Sequence, residues 1–74
     1  MTIIQDKEID VEWTIKLCRT KLNLTQPEMA EKLGVSKESY QNYENYKTTM
    51  RIDLAIKFSR IVGIPFDSII FFKQ

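Results

Sequence analysis

The most constraining feature of this sequence is a pair of helix starts separated by a single glycine. The hydroxyl of Thr25 can cap a helix, and Glu28, three residues later, can complete a capping box. Pro27 fits the first helical turn because no backbone N–H is needed there. Gly34 permits the left-handed backbone that often ends a helix, and Ser36 can cap the next helix. The pattern predicts two short helices joined by a tight turn, a helix-turn-helix.

Each of these two helices has an apolar side and a polar side. The first turns Met29, Ala30 and Leu33 inward, and Ala30 must be small because the second helix crosses there. The second helix runs from residue 37 to about residue 45, with Tyr40 and Tyr43 on its inner side. Lysine, glutamine and asparagine side chains match the hydrogen-bonding edges of guanine and adenine in the major groove. The outer residues are Lys37, Glu38, Gln41, Asn42 and Asn45, and the first four of them can be presented to the groove of DNA.

The remaining apolar spacing predicts three further helices, over residues 10–22, about 50–62 and 65 to about 70. The first, with Asp10 as its cap, has one apolar face formed by Val11, Ile15, Cys18 and Leu22. The second, with Thr49 as a candidate cap, is apolar around most of its circumference, which is expected of a helix lying between other elements. The sequence thus predicts a compact all-α domain of five helices over residues 10–70, with an N-terminal arm or short strand (1–9) and a C-terminal tail (71–74).

The charge and residue types narrow the classes of function. The net charge is only +1, but residues 16–51 contain seven lysines and arginines against four acidic residues, which is compatible with phosphate contact. With no histidine, no Ser–His or Cys–His catalytic pair can form, so we expect no enzyme, metal site or cofactor. The single cysteine permits no internal disulfide, and no apolar run of about 18 residues could cross a membrane. We expect a cytoplasmic protein.

Several matched motifs give the chain a strong family resemblance. The stretches "LCRTKLNLTQ", "LTQPEMAEKLGVSKESYQNYEN" and "IVGIPFDSII" resemble the Cro and CI repressor family of phage and bacterial regulators, also called the XRE family. The resemblance covers roughly residues 11–70. It implies a five-helix, lambda-repressor-like domain, often dimeric, that binds double-stranded operator DNA and regulates transcription, here most simply as a repressor.

The resemblance also implies a role for individual residues. It implies an ion pair between Arg19 and Glu44 that locks the second helix of the motif to the scaffold. Gln26 would contact a phosphate or an adjoining base. The implied base-reading residues are Ser36, Lys37, Glu38, Gln41 and Asn42, and the implied backbone contacts are Ser39, Asn45 and Lys47. The family usually has glycine where this chain has Tyr46 and proline where it has Met50. Because tyrosine tolerates a positive φ poorly, we expect Asn45 to take the left-handed position instead.

Apolar residues outside the motif predict contacts with other chains. Trp13 and Leu17, four residues apart on the first predicted helix, face away from its apolar stripe, so either a protein partner or the N-terminal segment would cover them. We predict a two-fold dimer through Ile70, Phe71 and Phe72, since a symmetric dimer would set two reading helices about one DNA turn apart. In a variant of this prediction, Ile3 and Ile4 pair as a strand with Phe71 and Phe72. The alternative function is a protein-interaction module, such as an antitoxin or a regulator's partner, that uses the same fold as a scaffold.

Overall fold

Capping residues decide where most helices of this chain begin. The structure, a computed structural model, describes residues 12–73. Within that range lie four α-helices, one turn of 3-10 helix and two short strands. In chain order they are β1 (Trp13–Thr14), α1 (Ile15–Lys21), α2 (Gln26–Leu33), α3 (Lys37–Glu44), α4 (Ile52–Val62), the 3-10 turn (Phe66–Ser68) and β2 (Ile69–Ile70). The helical character of the domain is as predicted, but the count of five helices is wrong.

The first helix begins later than predicted because a threonine caps it. Thr14 has an extended backbone, and its hydroxyl accepts a hydrogen bond from the N–H of Leu17 at 3.1 Å. Trp13 therefore lies in β1, half-buried against the core, and does not share a helix face with Leu17, which is 39% exposed. Leu22 is the C-terminal cap and is 36% exposed, so its assignment to the core is wrong.

The C-terminal part of the chain forms a strand where a fifth helix was predicted. After Pro65 there is only one 3-10 turn, closed by the Ser68 N–H donating to the Pro65 carbonyl at 2.9 Å. β2 then pairs in parallel with β1, with Ile69 beside Trp13 and Ile70 beside Thr14. Two consecutive β-branched residues favour the extended backbone, and the strand pairing satisfies peptide groups that a further helical turn would otherwise satisfy.

The core lies where α1 to α4 meet. Its largest fully buried side chains come from every helix: Ile15, Cys18, Met29, Tyr40, Phe58 and Val62. α4 buries one side through Ala55, Phe58 and Val62, whereas Ile52 is 63% exposed, so the expectation that this helix is enclosed on most sides is wrong. α4 also starts after Arg51 without a side-chain cap, which contradicts the predicted cap at Thr49.

Some predictions fall on residues that the structure does not describe. The arm or strand over residues 1–9, the cap at Asp10, the core position of Val11 and the pairing of Ile3 and Ile4 with Phe71 and Phe72 all involve residues outside 12–73. Of the helices within 12–73, none combines the length and the apolar character needed to cross a membrane.

Candidate nucleic-acid interface

The start of α2 is fixed by the predicted capping box. The Thr25 hydroxyl accepts from the Glu28 N–H at 3.2 Å, and the Glu28 carboxylate accepts from the Thr25 N–H at 2.8 Å. Pro27 lies in the first turn, where its missing N–H leaves nothing unpaired. These reciprocal bonds set the direction in which α2 leaves the preceding loop, as the sequence predicts.

The turn between α2 and α3 depends on one left-handed glycine. Gly34 has φ 79° and ψ 29°, and its N–H donates to the Ala30 carbonyl at 2.9 Å. The Val35 N–H donates to the same carbonyl at 3.0 Å, which closes the end of the helix. Ala30 is only 2% exposed, as expected of the small residue at the helix crossing. Lys57 of α4 donates to the Leu33 carbonyl at 3.4 Å and so satisfies another free carbonyl of α2.

α3 presents a polar outer side above a buried tyrosine. The Ser36 hydroxyl caps it by accepting from the Ser39 N–H at 3.0 Å, as predicted. Tyr40, on the inner side, is fully buried. Of the residues predicted to contact DNA, the exposed ones are Ser36, Lys37, Glu38, Asn45 and Lys47, and the half-buried ones are Gln26, Ser39, Gln41 and Asn42. All of them lie on α2, on α3, in the turn between these helices or in the loop that follows α3.

A buried carboxylate ties α3 to the rest of the domain. Glu44, with a side chain only 3% exposed, accepts from Arg19 Nε at 2.8 Å and from Arg19 Nη2 at 3.1 Å. The Arg19 guanidinium also donates from Nη1 to the Leu24 carbonyl at 2.7 Å. Two further donors reach the same carboxylate, the Tyr40 hydroxyl at 2.6 Å and Gln26 Nε2 at 2.8 Å. The structure thus contains the ion pair implied by the family resemblance, with both carboxylate oxygens occupied.

The hydrogen bonds to Glu44 keep it ionised despite its burial. Burial alone would raise its pKa, but the donors on Arg19, Tyr40 and Gln26 outweigh that effect and hold the pKa below its ordinary value. Burial, together with the hydrogen bond to Glu44, raises the pKa of Tyr40 far above its usual range, so this tyrosine is a donor at every physiological pH. Within residues 12–73, no buried side-chain nitrogen or oxygen lacks a hydrogen-bond partner. The network is therefore complete and rigid.

Gln26 and Gln41 join the two helices at the outer edge of this network. Gln41 Nε2 donates to Gln26 Oε1 at 3.0 Å, while Gln26 Nε2 donates to Glu44. The chain from Glu44 through Gln26 to Gln41 therefore connects the buried ion pair to the polar side of α3. This link was not foreseen from the sequence, where the two glutamines were predicted only to contact DNA.

The end of α3 contradicts the expected backbone. Asn45 has φ −88°, and it is Tyr46 that takes the left-handed conformation, with φ 60°. For a non-glycine residue this conformation costs about 1–2 kcal/mol. Two hydrogen bonds of the Tyr46 hydroxyl offset the cost: it accepts from the Ile15 N–H at 3.2 Å and donates to the Ile70 carbonyl at 2.7 Å. The unusual residue type was visible in the sequence, but its two partners, 31 and 24 residues away, were not.

The C-terminal residues form a second surface, around an apolar groove. The ring of Phe71 packs on Phe58 at 6.1 Å and on Phe66 at 5.1 Å between centroids, so much of it serves the core of its own chain. Ile70 is half-buried beside β1, and Phe72 is 61% exposed. Of the three predicted dimer residues, Phe72 is thus the most available. It borders a groove of about 280 Å³ whose lining also includes Met50, Ile52, Phe66 and Ile69.

Comparison with known proteins places this arrangement among regulators. The family model described as Helix-turn-helix matches residues 15–69. An uncharacterized HTH-type transcriptional regulator of Archaeoglobus fulgidus is 33% identical over 60 residues, covering 81% of this chain and 84% of the relative. A second, from Methanocaldococcus jannaschii, is 32% identical over 60 residues, covering 81% of this chain and 91% of the relative.

A third relative is longer than this chain. It is an uncharacterized HTH-type transcriptional regulator derived from the SPbeta prophage of Bacillus subtilis, 34% identical over 53 residues. The match covers 72% of this chain but 49% of the relative, so the chain spans about half of that protein. No solved structure matches the chain at a significant level.

Proposed function

This chain belongs to the XRE-type helix-turn-helix family of DNA-binding transcriptional regulators, and we propose that it binds specific sites on double-stranded DNA with α3 in the major groove. In this proposal it acts as a repressor of phage, mobile-element or bacterial type. The observation that carries the proposal is the complete network at Glu44, which holds the inner side of α3 while leaving its polar outer side accessible. A rigid helix with free polar side chains is what direct reading of base edges requires.

The residues on the outer side of α3 have chemistry suited to particular bases. Lys37 can donate to the O6 and N7 acceptors of guanine, and the amide of Asn42 or Gln41 can pair with adenine in a bidentate manner. We propose that the phosphate backbone is contacted by Ser39, Asn45 and Lys47. Gln26 is proposed to contact a phosphate or a neighbouring base. Phosphate contacts of this kind would set the register of the protein on the duplex without selecting a sequence.

We further propose that the protein binds DNA as a symmetric dimer through its C-terminal surface. Phe72 is 61% exposed and Ile52 is 63% exposed, and both border the apolar groove described above. An exposed apolar surface of this kind is typical of an interface. Sedimentation equilibrium tests this proposal on the wild type and on a Phe72→Glu variant, since Phe71 packs on Phe58 of its own chain. A monomeric wild type, or a Phe72→Glu variant as dimeric as its parent, would contradict it.

Selection of bound duplexes from a random library tests the DNA-binding proposal and identifies the preferred site. Lys37→Ala and Asn42→Ala should each weaken specific binding and relax the base preference, at about 1–3 kcal/mol for each lost bidentate pair. Lys47→Ala should instead weaken binding to all sequences and reduce the dependence of affinity on salt. An unchanged selected sequence after both substitutions in α3 would remove the assignment of the reading residues. No binding even at low salt, with tight binding to a protein encoded nearby, would favour the protein-interaction module.

A further inference from the structure

One side chain braces the loop after α3 against the two ends of the described chain. The Tyr46 hydroxyl accepts from the N–H of Ile15, the first residue of α1, and donates to the carbonyl of Ile70 in β2. Tyr46 is half-buried, and its ring packs against the core. A single hydroxyl thus connects three segments that are far apart in the sequence.

The same loop is held to α3 by its backbone. The Lys47 N–H donates to the Asn42 carbonyl at 2.8 Å, and the Tyr46 N–H donates to the Tyr43 carbonyl at 3.1 Å. Backbone bonds therefore fix Lys47 relative to α3, while the Tyr46 hydroxyl fixes the loop relative to β2 and α1. The brace also holds Tyr46 at φ 60°, a conformation that a tyrosine leaves readily when nothing holds it. Without the brace, the loop that contains Lys47 would no longer be held against β2 and α1, and a relaxation of φ to a negative value would in addition change the direction of the chain at Lys47.

We propose that Tyr46 is a positioning residue for DNA binding. It holds the loop so that the side chain of Lys47 can reach a phosphate of the duplex. This inference rests on the proposed function. In this proposal Tyr46 does not itself contact DNA, because its hydroxyl is bonded within the domain to Ile15 and Ile70. Its effect on binding passes through Lys47, whose side chain is exposed.

The test uses two substitutions that remove the brace in different ways. Tyr46→Phe keeps the ring and removes only the hydroxyl. Tyr46→Asn removes the ring together with the hydroxyl, and because asparagine tolerates the left-handed backbone, this variant relieves the backbone strain at the same time. Tyr43→Phe is the matched control, because Tyr43 is also half-buried and its hydroxyl makes no hydrogen bond within residues 12–73.

Affinity for the duplex selected by the wild type is measured over a range of salt concentrations, at a temperature where each variant is fully folded. Both Tyr46 variants should lower the log–log slope of affinity against salt by about 0.9, the contribution of one phosphate contact. A fourfold rise in salt should then weaken the wild type about 3.5-fold more than it weakens the variants. Tyr43→Phe should keep the wild-type slope. In the Lys47→Ala background, Tyr46→Phe should have no further effect on the slope.

Two results would overturn the inference while leaving the proposed function in place. One is a folded Tyr46 variant with the wild-type slope, which would mean that the hydroxyl serves stability alone. The other is a full additive effect of Tyr46→Phe and Lys47→Ala, which would mean that the two residues act independently. A wild type that binds no duplex at low salt would instead remove the proposed function and the inference together.

Discussion

Removal of the Arg19 side chain should destabilise the fold strongly. Arg19 is 11% exposed and makes three hydrogen bonds, two to Glu44 and one to the Leu24 carbonyl. Arg19→Ala leaves a carboxylate that is 3% exposed without its counter-charge. Breaking one side of a buried ion pair costs about 3–5 kcal/mol. We expect about 3 kcal/mol at pH 7, the lower end, because Tyr40 and Gln26 still donate to Glu44.

The loss should depend on pH in a direction that the structure fixes. In the wild type the folded-state pKa of Glu44 is lowered, so its stabilising effect is present above the unfolded pKa of about 4.3 and is lost as the pH falls through the folded value. In Arg19→Ala the effect of burial is no longer outweighed, so the pKa of Glu44 should rise above its ordinary value. The variant then gains stability by taking up a proton, and the difference from the wild type should narrow as the pH falls from 7 towards 4.

Urea unfolding, followed by the fluorescence of the single tryptophan and by circular dichroism, measures this difference at several pH values. Arg51→Ala is the matched control, because Arg51 also forms an ion pair, with Asp53 at 3.2 Å, but both side chains are largely exposed. The control should stay close to the wild type at every pH. The reasoning is refuted if Arg19→Ala is no more harmful than Arg51→Ala, or if its loss of stability is the same at pH 7 and pH 4.

Three further substitutions or measurements test other parts of the fold. Tyr40→Phe removes a buried donor to Glu44 and should cost about 1.5–3 kcal/mol in urea unfolding; a loss below that of an exposed substitution would contradict the network. Gly34→Ala should cost about 1 kcal/mol from its positive φ alone, since the added methyl group meets only Lys57 Nζ at 3.9 Å; a neutral result would contradict the left-handed turn. Burial raises the pKa of Cys18 to about 11, so a thiolate-specific reagent should label it far more slowly in the native protein than in denaturant, and equal rates would show an accessible thiol.

The helix-turn-helix could be predicted in detail because its signals are local. The capping box of Thr25 and Glu28, the left-handed Gly34 and the cap at Ser36 each act over three or four residues, and all are present in the structure. The polar side of α3 follows from the same spacing. The link between Gln26 and Gln41 could not be predicted, because it depends on the angle at which α2 and α3 cross.

The two ends of the domain were decided by tertiary structure. β1 and β2 have two residues each and pair across more than 50 positions of the chain, and a two-residue strand leaves no periodic pattern to read. The pairing also explains why the predicted first helix was too long and the predicted fifth helix did not form. Apolar residues three and four positions apart occur on one face of a helix, but they also occur in a non-helical segment that enters and leaves the core. The spacing alone therefore did not distinguish a helix from such a segment at the two ends of the domain.

Tyr46 illustrates the same division at a single residue. The sequence alone establishes that this position carries a tyrosine where the family usually has glycine, and local sterics then favour a different helix end. The folded chain supplies two hydrogen-bond partners, on Ile15 and Ile70, that no local pattern contains. The sequence determines the helix starts and turns because their energies arise between near neighbours. The strand pairing and the strained tyrosine were decided only by tertiary structure, because the contacts that stabilise them form only when distant segments meet.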